Sequence, residues 1–313
     1  MEYFPSLILL YFLLLQFTTC KIDINCSRVI GFFDNFRCVS EHNIGQGAFG
    51  AAFLITNGDS EFVLKVAKID DQETLARAAN EKNLLLLCKH PNVIRLIEWF
   101  RDNSYQYAVL EFAEGGSLTD FIYSALFRKV SLSFKLRIFL KILKGVDHIH
   151  SHGYVHGDIK PDNIVFATGY EPKIIDFDLA TPRFGWGLMK GNSAFTEPRI
   201  IFAPEQKIAY DETIDIYALG VLLYYLVQDG KSPFLDDSKH ELNQTLSVGS
   251  YQVSGNLPVS VVQMIERCLF LNKSARWNMQ MLILKTEEYL KGDDNSVITG
   301  NVSLSNRSKS EIK

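Results

Sequence analysis

Two short stretches constrain this chain more than anything else in it: Tyr154-Val155-His156-Gly157-Asp158-Ile159-Lys160-Pro161-Asp162-Asn163, and eleven residues later Ile174-Ile175-Asp176-Phe177-Asp178. The first sets carboxylates, a lysine and an amide, and the second two carboxylates, among apolar neighbours. Any one of these positions suits an ordinary polar loop. The ordered set suits a more demanding chemistry, the transfer of a phosphoryl group, where most protein groups position reactants and offset charge. One carboxylate must orient an attacking hydroxyl and take its proton, and Asp158 is the candidate. A second carboxylate and an amide must hold Mg²⁺ against the phosphates, for which Asp176 and Asn163 are available. Lys160 supplies a cation for the transferred group.

Two features upstream belong with this set. Ile44-Gly45-Gln46-Gly47-Ala48-Phe49-Gly50 is a G-x-G-x-x-G run. Such a run alone is weak, because it also opens dinucleotide-binding folds, but there it must lie between a strand and a helix. Here it lies between two expected strands, where it can fold over phosphates. Lys65 then sits inside the apolar run Phe62-Val63-Leu64-Lys65-Val66. An ammonium there requires a partner, and Glu81 on the following helix is the natural one. The nearby Lys68 fits a solvated strand face.

The pattern around these motifs changes character midway. Residues 36–68 read as antiparallel strands around the glycine turn. Residues 71–88 read as a helix stopped by Pro91, and strands follow at 93–99 and 105–112. After Glu114-Gly115-Gly116 the patterns are mostly helical, at 132–150, 214–227 and 259–269, with a loop-rich stretch at 152–205. A strand-rich front with one helix, joined to a helix-rich back, predicts two lobes with a cleft between them. From residue 291 onward apolar residues are scarce and Ser, Asn and Lys abound, which predicts a disordered tail at 291–313. The net charge of −4 over 313 residues, with 22% charged residues, gives no basic surface for nucleic acid.

Met1 to Cys20 is different again. Its apolar run from Leu7 to Phe17, then small residues, resembles a secretory signal peptide, although no basic residue precedes the run. Uncleaved, it would be a membrane anchor at the short end of a bilayer-spanning length; it also fits a misplaced start or a helix packed on the domain. Secretion and a nuclear or cytoplasmic site both stay open. Cys26 and Cys38 suit either a disulfide in an oxidising compartment or two free thiols. Five Asn-x-Ser/Thr triplets begin at Asn25, Asn243, Asn272, Asn301 and Asn306, and they matter only in the secretory pathway.

Taken together, the motifs from Ile44 to Arg276 resemble the eukaryotic protein kinase superfamily. The resemblance implies an α+β bilobal kinase fold, with a small antiparallel-sheet N-lobe carrying one helix (about 38–113) and a larger, mainly helical C-lobe (about 117–290), within a domain at 38–290. It implies ATP and Mg²⁺ as cofactors and a protein as substrate. ATP would be held by Ile44, Gly45, Gly47, Gly50, Ala52, Val63, Lys65, Glu81, Glu111 and Ala113, with Leu110 as gatekeeper. Metal would be held by Asn163 and Asp176, and catalysis carried by Asp158, Lys160 and Asn163. Leu85, Leu96, His156 and Phe177 would stack as a spine, and His90-Pro91-Asn92 would form the turn after the Glu81 helix. Asp215 would open the sixth major helix, and Ala203-Pro204-Glu205 would end the activation segment, with Arg276 pairing Glu205. Lys160 to Asn163 resembles the serine/threonine branch. Residues 156–163 resemble the checkpoint kinases and 215–249 the cell-division-cycle kinases. The set of polar residues favours an active enzyme over a nucleotide-binding pseudokinase.

The chain departs from this family at several points. Gly157 stands where relatives carry an arginine that binds a phosphorylated activation loop, which implies activity without phosphate on Ser193 or Thr196. Asp178 replaces a glycine and is expected to face solvent. Ala52 replaces a valine over adenine. Pro198 stands where the serine/threonine branch has a threonine.

Overall fold

The computed structural model describes residues 26–31, 33–40, 42–46, 50–187, 194–202, 208–234, 250–253, 256–292, 297–298 and 302–305. The segment 1–20, Gly47, Ser193, Ala203-Pro204-Glu205 and residues 235–249 lie outside them, as does most of the tail.

The N-terminal half forms one antiparallel sheet of six strands: β1 (Arg37–Cys38), β2 (Gly45–Gln46), β3 (Gly50–Thr56), β4 (Glu61–Lys68), β5 (Leu96–Arg101) and β6 (Tyr105–Glu111). Their order is β1-β3-β4-β6-β5, with β2 paired to β3. Alternation decides which residues meet. Ala51, Phe53 and Ile55 of β3, Leu64 and Val66 of β4, and Tyr107 and Val109 of β6 share the outer face and are buried. What covers that face is the segment before β1, through Cys26 of α1 (Cys26–Ile30) and Phe33. A disulfide joins Cys26 to Cys38 across a sequence separation of 12, so the two thiols are paired and the folded unit begins ahead of residue 38. Closing a loop of this length removes about 3 kcal/mol of unfolded-state entropy. At roughly 2–4 °C per kcal/mol for a chain of this size, the Cys26→Ser/Cys38→Ser variant should melt about 6–12 °C below wild type by calorimetry.

The opposite face turns toward the second half of the chain. Helix α2 (Gln72–Leu87) packs on it, started by a capping box in which Asp71 accepts from the Thr74 backbone and ended at Cys88. Beyond β6 the chain runs through Gly115 and Gly116, which are pinned to the C-terminal half by Gly115 N–H to Phe166 O (2.7 Å) and Phe166 N–H to Gly116 O (2.9 Å). The C-terminal half is built on α3 (Leu118–Tyr123), α4 (Leu132–Ser151), α5 (Pro198–Phe202), α6 (Thr213–Val227), α7 (Val259–Leu269) and α8 (Met279–Leu290). Helix α6 is buried nearly all round and packs on α4 and α7, the behaviour of a uniformly apolar helix at the centre of a core. The two-lobed α+β arrangement expected from the sequence is present.

Helices α3 and α8 were not anticipated, although Ser117 and Asn278 cap them. The tail expectation also needs correcting at two places: Val302–Ser305 pairs with Ser250–Val253, and Val297–Ile298 pairs with Leu257–Pro258. Val297–Ile298 is β-branched and Val302–Ser305 alternates apolar residues with serine, patterns that suffice for pairing where a partner edge is at hand. Among the described residues no helix is long and apolar enough to cross a membrane.

Candidate active site

Register brings the first site residues together. Ala52 of β3 lies opposite Lys65 of β4, which lies opposite Ala108 of β6; Val63 lies opposite Leu110 and Gly45 opposite Ala52. This row is the roof of the cleft. Ile44 joins it through its N–H to Ala52 O at 2.7 Å. Gly50 has a packing reason to be glycine: a Cβ there would stand 2.2 Å from the Val66 carbonyl oxygen. Glu111 ends β6, where its carboxylate accepts from the Arg95 N–H and from Lys173 at 2.9 Å, and Ala113 follows it at the cleft's rear.

Lys65 Nζ is held by three carboxylates: Glu81 Oε1 at 2.7 Å, Asp176 Oδ1 at 3.1 Å and Asp178 Oδ1 at 2.6 Å. Glu81 is itself buried and takes a second bond from Gln106. Burial alone would lower the Lys65 pKa, but Asp178, then Glu81 and Asp176, outweigh it and hold the ammonium well above its ordinary value. The expectation that Asp178 faces solvent is overturned. A carboxylate two residues from Asp176 lies within reach of a buried ammonium, and pairing there costs less than leaving that cation with fewer partners. Burial pushes the Asp178 carboxyl up, against the pull of Lys65 and helped by Asp176 and Glu81; burial also acts on Asp176, but Lys65 and then Lys160 hold it below the usual carboxylate range. Lys68, by contrast, makes a surface pair with Asp70 at 3.0 Å.

The second half of the site rests on Asp215, the third residue of α6. Its buried carboxylate accepts the N–H of His156 (2.8 Å) and of Gly157 (2.9 Å), and meets His150 Nε2 at 2.8 Å. Three hydrogen bonds on one carboxylate fix the loop that carries Asp158. Burial would raise the Asp215 pKa, but these bonds, His150 first, lower it. Gly157 takes a left-handed φ of 80°, which glycine adopts without strain. His156 accepts the Asp158 N–H at Nδ1 (3.2 Å) and donates from Nε2 to Ile175 O (3.1 Å); its ring lies 5.0 Å from that of Phe177. Leu85 and Phe177 are buried and Leu96 packs against the same core, as the spine expectation required.

Asp158 faces the open cleft with Lys160 Nζ at 2.7 Å on Oδ2 and the Asn163 amide nitrogen at 2.7 Å on the same atom. The Asn163 nitrogen also donates to Asp158 O at 2.8 Å. With its nitrogen committed twice, Asn163 presents its amide oxygen as the remaining donor atom. That oxygen and the partly exposed Asp176 carboxylate form a hard, all-oxygen set of the kind Mg²⁺ takes, so the residues present fit the metal.

The partner expected for Arg276, Glu205, lies outside the described residues; among the described ones Arg276 pairs with Glu197. Its guanidinium meets Glu197 Oε1 at 2.9 Å with both side chains fully buried. It also donates to Phe270 O (2.7 Å) and Thr213 O (3.0 Å) and lies over the Tyr217 ring. Arg199 closes the other side of Glu197 at 2.9 Å. Glu197 is thus a buried partner of Arg276 that the sequence did not single out, and α5 starts at Pro198 immediately after it. The proline is then a helix-opening residue.

Asp178 puts one negative charge beside the place where phosphates must meet Lys65. Replacing it by asparagine keeps the shape and removes that charge. At short range one like charge is worth on the order of 1.4 kcal/mol or more. Asp178→Asn should therefore lower the KM for ATP by about tenfold in steady-state kinetics at alkaline pH, where the raised Asp178 carboxyl is ionised, and by less as pH falls, with a smaller change in kcat.

Comparison with known proteins agrees with this geometry. A family model described as protein kinase domain matches residues 38–287. The chain is 29% identical over 238 residues to the calcium/calmodulin-dependent protein kinase type II alpha chain of Drosophila melanogaster, covering 72% of this chain and 42% of that one. It is 30% identical over 251 residues to the probable serine/threonine-protein kinase MARK-A of Dictyostelium discoideum, covering 77% and 23%. It is 32% identical over 224 residues to calcium-dependent protein kinase 4 of Plasmodium falciparum (isolate 3D7), covering 66% and 40%. The chain thus spans less than half the length of these relatives.

Proposed function

The chain belongs to the protein kinase family, and from that premise we propose that it transfers the γ-phosphoryl group of ATP to serine or threonine hydroxyls of a protein. The observation that carries the proposal is the convergence of Lys65, Asp158, Lys160, Asn163 and Asp176 on one cleft, each with its side chain held by a partner. A pseudokinase would be expected to lack one of the groups at Lys65, Asp158 or Asp176.

The roles follow from position. Lys65, anchored by Glu81, takes the α- and β-phosphates. Asp158 orients the substrate hydroxyl and takes its proton as the new oxygen–phosphorus bond forms and the bond to the β-phosphate oxygen breaks, releasing ADP. Lys160, already 2.7 Å from Asp158, offsets charge on the moving group. Asn163 and Asp176 would hold Mg²⁺, whose chemistry is to neutralise charge on the phosphates. Serine/threonine preference is supported by Lys160 to Asn163 and by the similarity to the probable serine/threonine-protein kinase of Dictyostelium discoideum. The test is phosphoamino-acid analysis of a mixed protein substrate after incubation with labelled ATP. Phosphoserine and phosphothreonine are expected; phosphotyrosine alone would overturn the assignment.

We also propose that the chain enters the secretory pathway. Support comes from the apolar stretch of residues 7–17 and from the Cys26–Cys38 disulfide, a bond that persists in oxidising compartments. N-terminal sequencing of the mature protein should begin near Lys21, and a retained Met1 would contradict cleavage.

A further inference from the structure

Away from the cleft, three side chains with metal-binding atoms converge where the end of α2 meets the end of α4. Cys88 caps α2. His148 lies in the last turn of α4 and His152 caps it, four residues apart and so on one face of the helix. That face also carries Gly145, where a Cβ would stand 2.9 Å from the Asn92 carbonyl oxygen and 2.7 Å from the Ile174 side chain. The glycine lets α4 approach the 88–92 loop closely enough to bring its two histidines to Cys88. The Cys88 sulfur and one nitrogen from each ring all lie within 4.8 Å of one another.

The hydrogen bonding of the two rings bears on what the cluster is for. His148 Nε2 is buried and has no hydrogen-bond partner, a costly arrangement for a polar atom unless something else satisfies it. His152 Nδ1 lies 2.8 Å from the His148 carbonyl oxygen. A carbonyl can only accept, so Nδ1 carries the hydrogen and Nε2 of the neutral ring keeps its lone pair. A backbone carbonyl fixing the tautomer in this way is the usual support of a metal-binding histidine.

We propose that Cys88, His148 and His152 form a binding site for a divalent transition-metal ion, zinc in the first instance. One thiolate and two imidazoles are a borderline-soft set that suits zinc, with water as the fourth ligand of a tetrahedron. Zinc–ligand bonds of about 2.0–2.3 Å place tetrahedral ligands roughly 3.3–3.8 Å apart, so the three side chains need only draw together slightly from where they stand. Burial holds the Cys88 thiol up at about 12 without metal. Binding therefore exchanges the thiol proton for the ion, forming the sulfur–metal bond and releasing one proton to solvent. The site would tie α2, the helix that carries Glu81, to α4 of the other lobe. Its existence does not depend on the catalytic reading; only that last consequence does.

The test uses the full-length, untagged protein, stripped with a chelator and titrated with Co²⁺. The expected result is one equivalent bound, with visible bands of tetrahedral cobalt and a thiolate-to-cobalt charge-transfer band, both lost when Zn²⁺ is added. Cys88→Ala should abolish the charge-transfer band, and Cys268→Ala, at the other free cysteine among the described residues, should leave it unchanged. His152→Ala, at a partly exposed position, should weaken Co²⁺ binding at least tenfold while circular dichroism stays that of wild type, and it decides the matter alone if Cys88→Ala does not fold. Absence of a saturable charge-transfer band, its survival in Cys88→Ala, or unchanged affinity in His152→Ala would overturn the site. Phosphotransfer enters none of these readouts, so a failure of the site and a failure of the catalytic reading are distinguishable.

Discussion

Asp158→Asn should reduce kcat for protein phosphorylation by about 10²–10⁴-fold, the range for removing a positioned general base, while the protein melts within a few degrees of wild type. The asparagine keeps the size of the side chain. It loses the negative charge that draws Lys160 and the ability to take a proton from the incoming hydroxyl. Lys160 and Asn163 both bond to the same Asp158 oxygen, so the three act as one unit. Adding Lys160→Ala to Asp158→Asn should therefore cost little beyond the single change, because groups that work together are far from additive. Equal, multiplicative losses from the two substitutions would mean that Lys160 acts independently of Asp158.

The second large effect is on stability. Arg276→Met should cost about 3–5 kcal/mol, since it leaves the Glu197 carboxylate buried without its main partner. At roughly 2–4 °C per kcal/mol this lowers Tm by about 6–20 °C. Arg199 reaches Glu197 from a partly exposed position and offsets some of the loss, which places the expected value toward the lower end. A matched pair, Arg276→Met with Glu197→Leu, should recover much of the stability, because replacing both buried charges with apolar groups is often neutral. Glu205→Gln should have little effect by comparison. A large loss from Glu205→Gln and a small one from Glu197→Leu would restore the pairing read from sequence.

The Arg276–Glu197 pair marks the boundary of what the sequence could convey. Glu197-Pro198 and Pro204-Glu205 lie within nine residues of each other, and the second spells the family's motif while the first does not. Letters alone favour the second; burial of the carboxylate favours the first, and burial is a property of the whole core. Asp178 is a similar case. Its type and spacing were plain, but whether it turned toward solvent or toward the ammonium depended on Lys65 standing across the cleft, 113 residues away. The metal-binding cluster was also hidden, since Cys88 and His148 meet only because Gly145 lets two helices close.

Other parts were legible for stated reasons. Helix α2 was legible from its apolar spacing and from Pro91 beyond its end, and was read to within a residue. Lys65 and Glu81 were paired because a lysine in an apolar strand must find a carboxylate, and they meet at 2.7 Å. Asp158, Lys160, Asn163 and Asp176 come together as their order implied. Asp215 was read only as the opening of a helix; its role in holding the His156 and Gly157 amides needed the loop and the helix in one frame.

Central to this account is that the cleft moves the terminal phosphate of ATP onto protein. The most direct measurement is label incorporation into a generic protein substrate by the wild-type chain with Mg²⁺, run in parallel with γ-labelled and α-labelled ATP, alongside Asp176→Ala. Incorporation from γ-labelled ATP only, and its loss in Asp176→Ala, is the predicted result. No incorporation by wild type, or equal incorporation by Asp176→Ala, would contradict it.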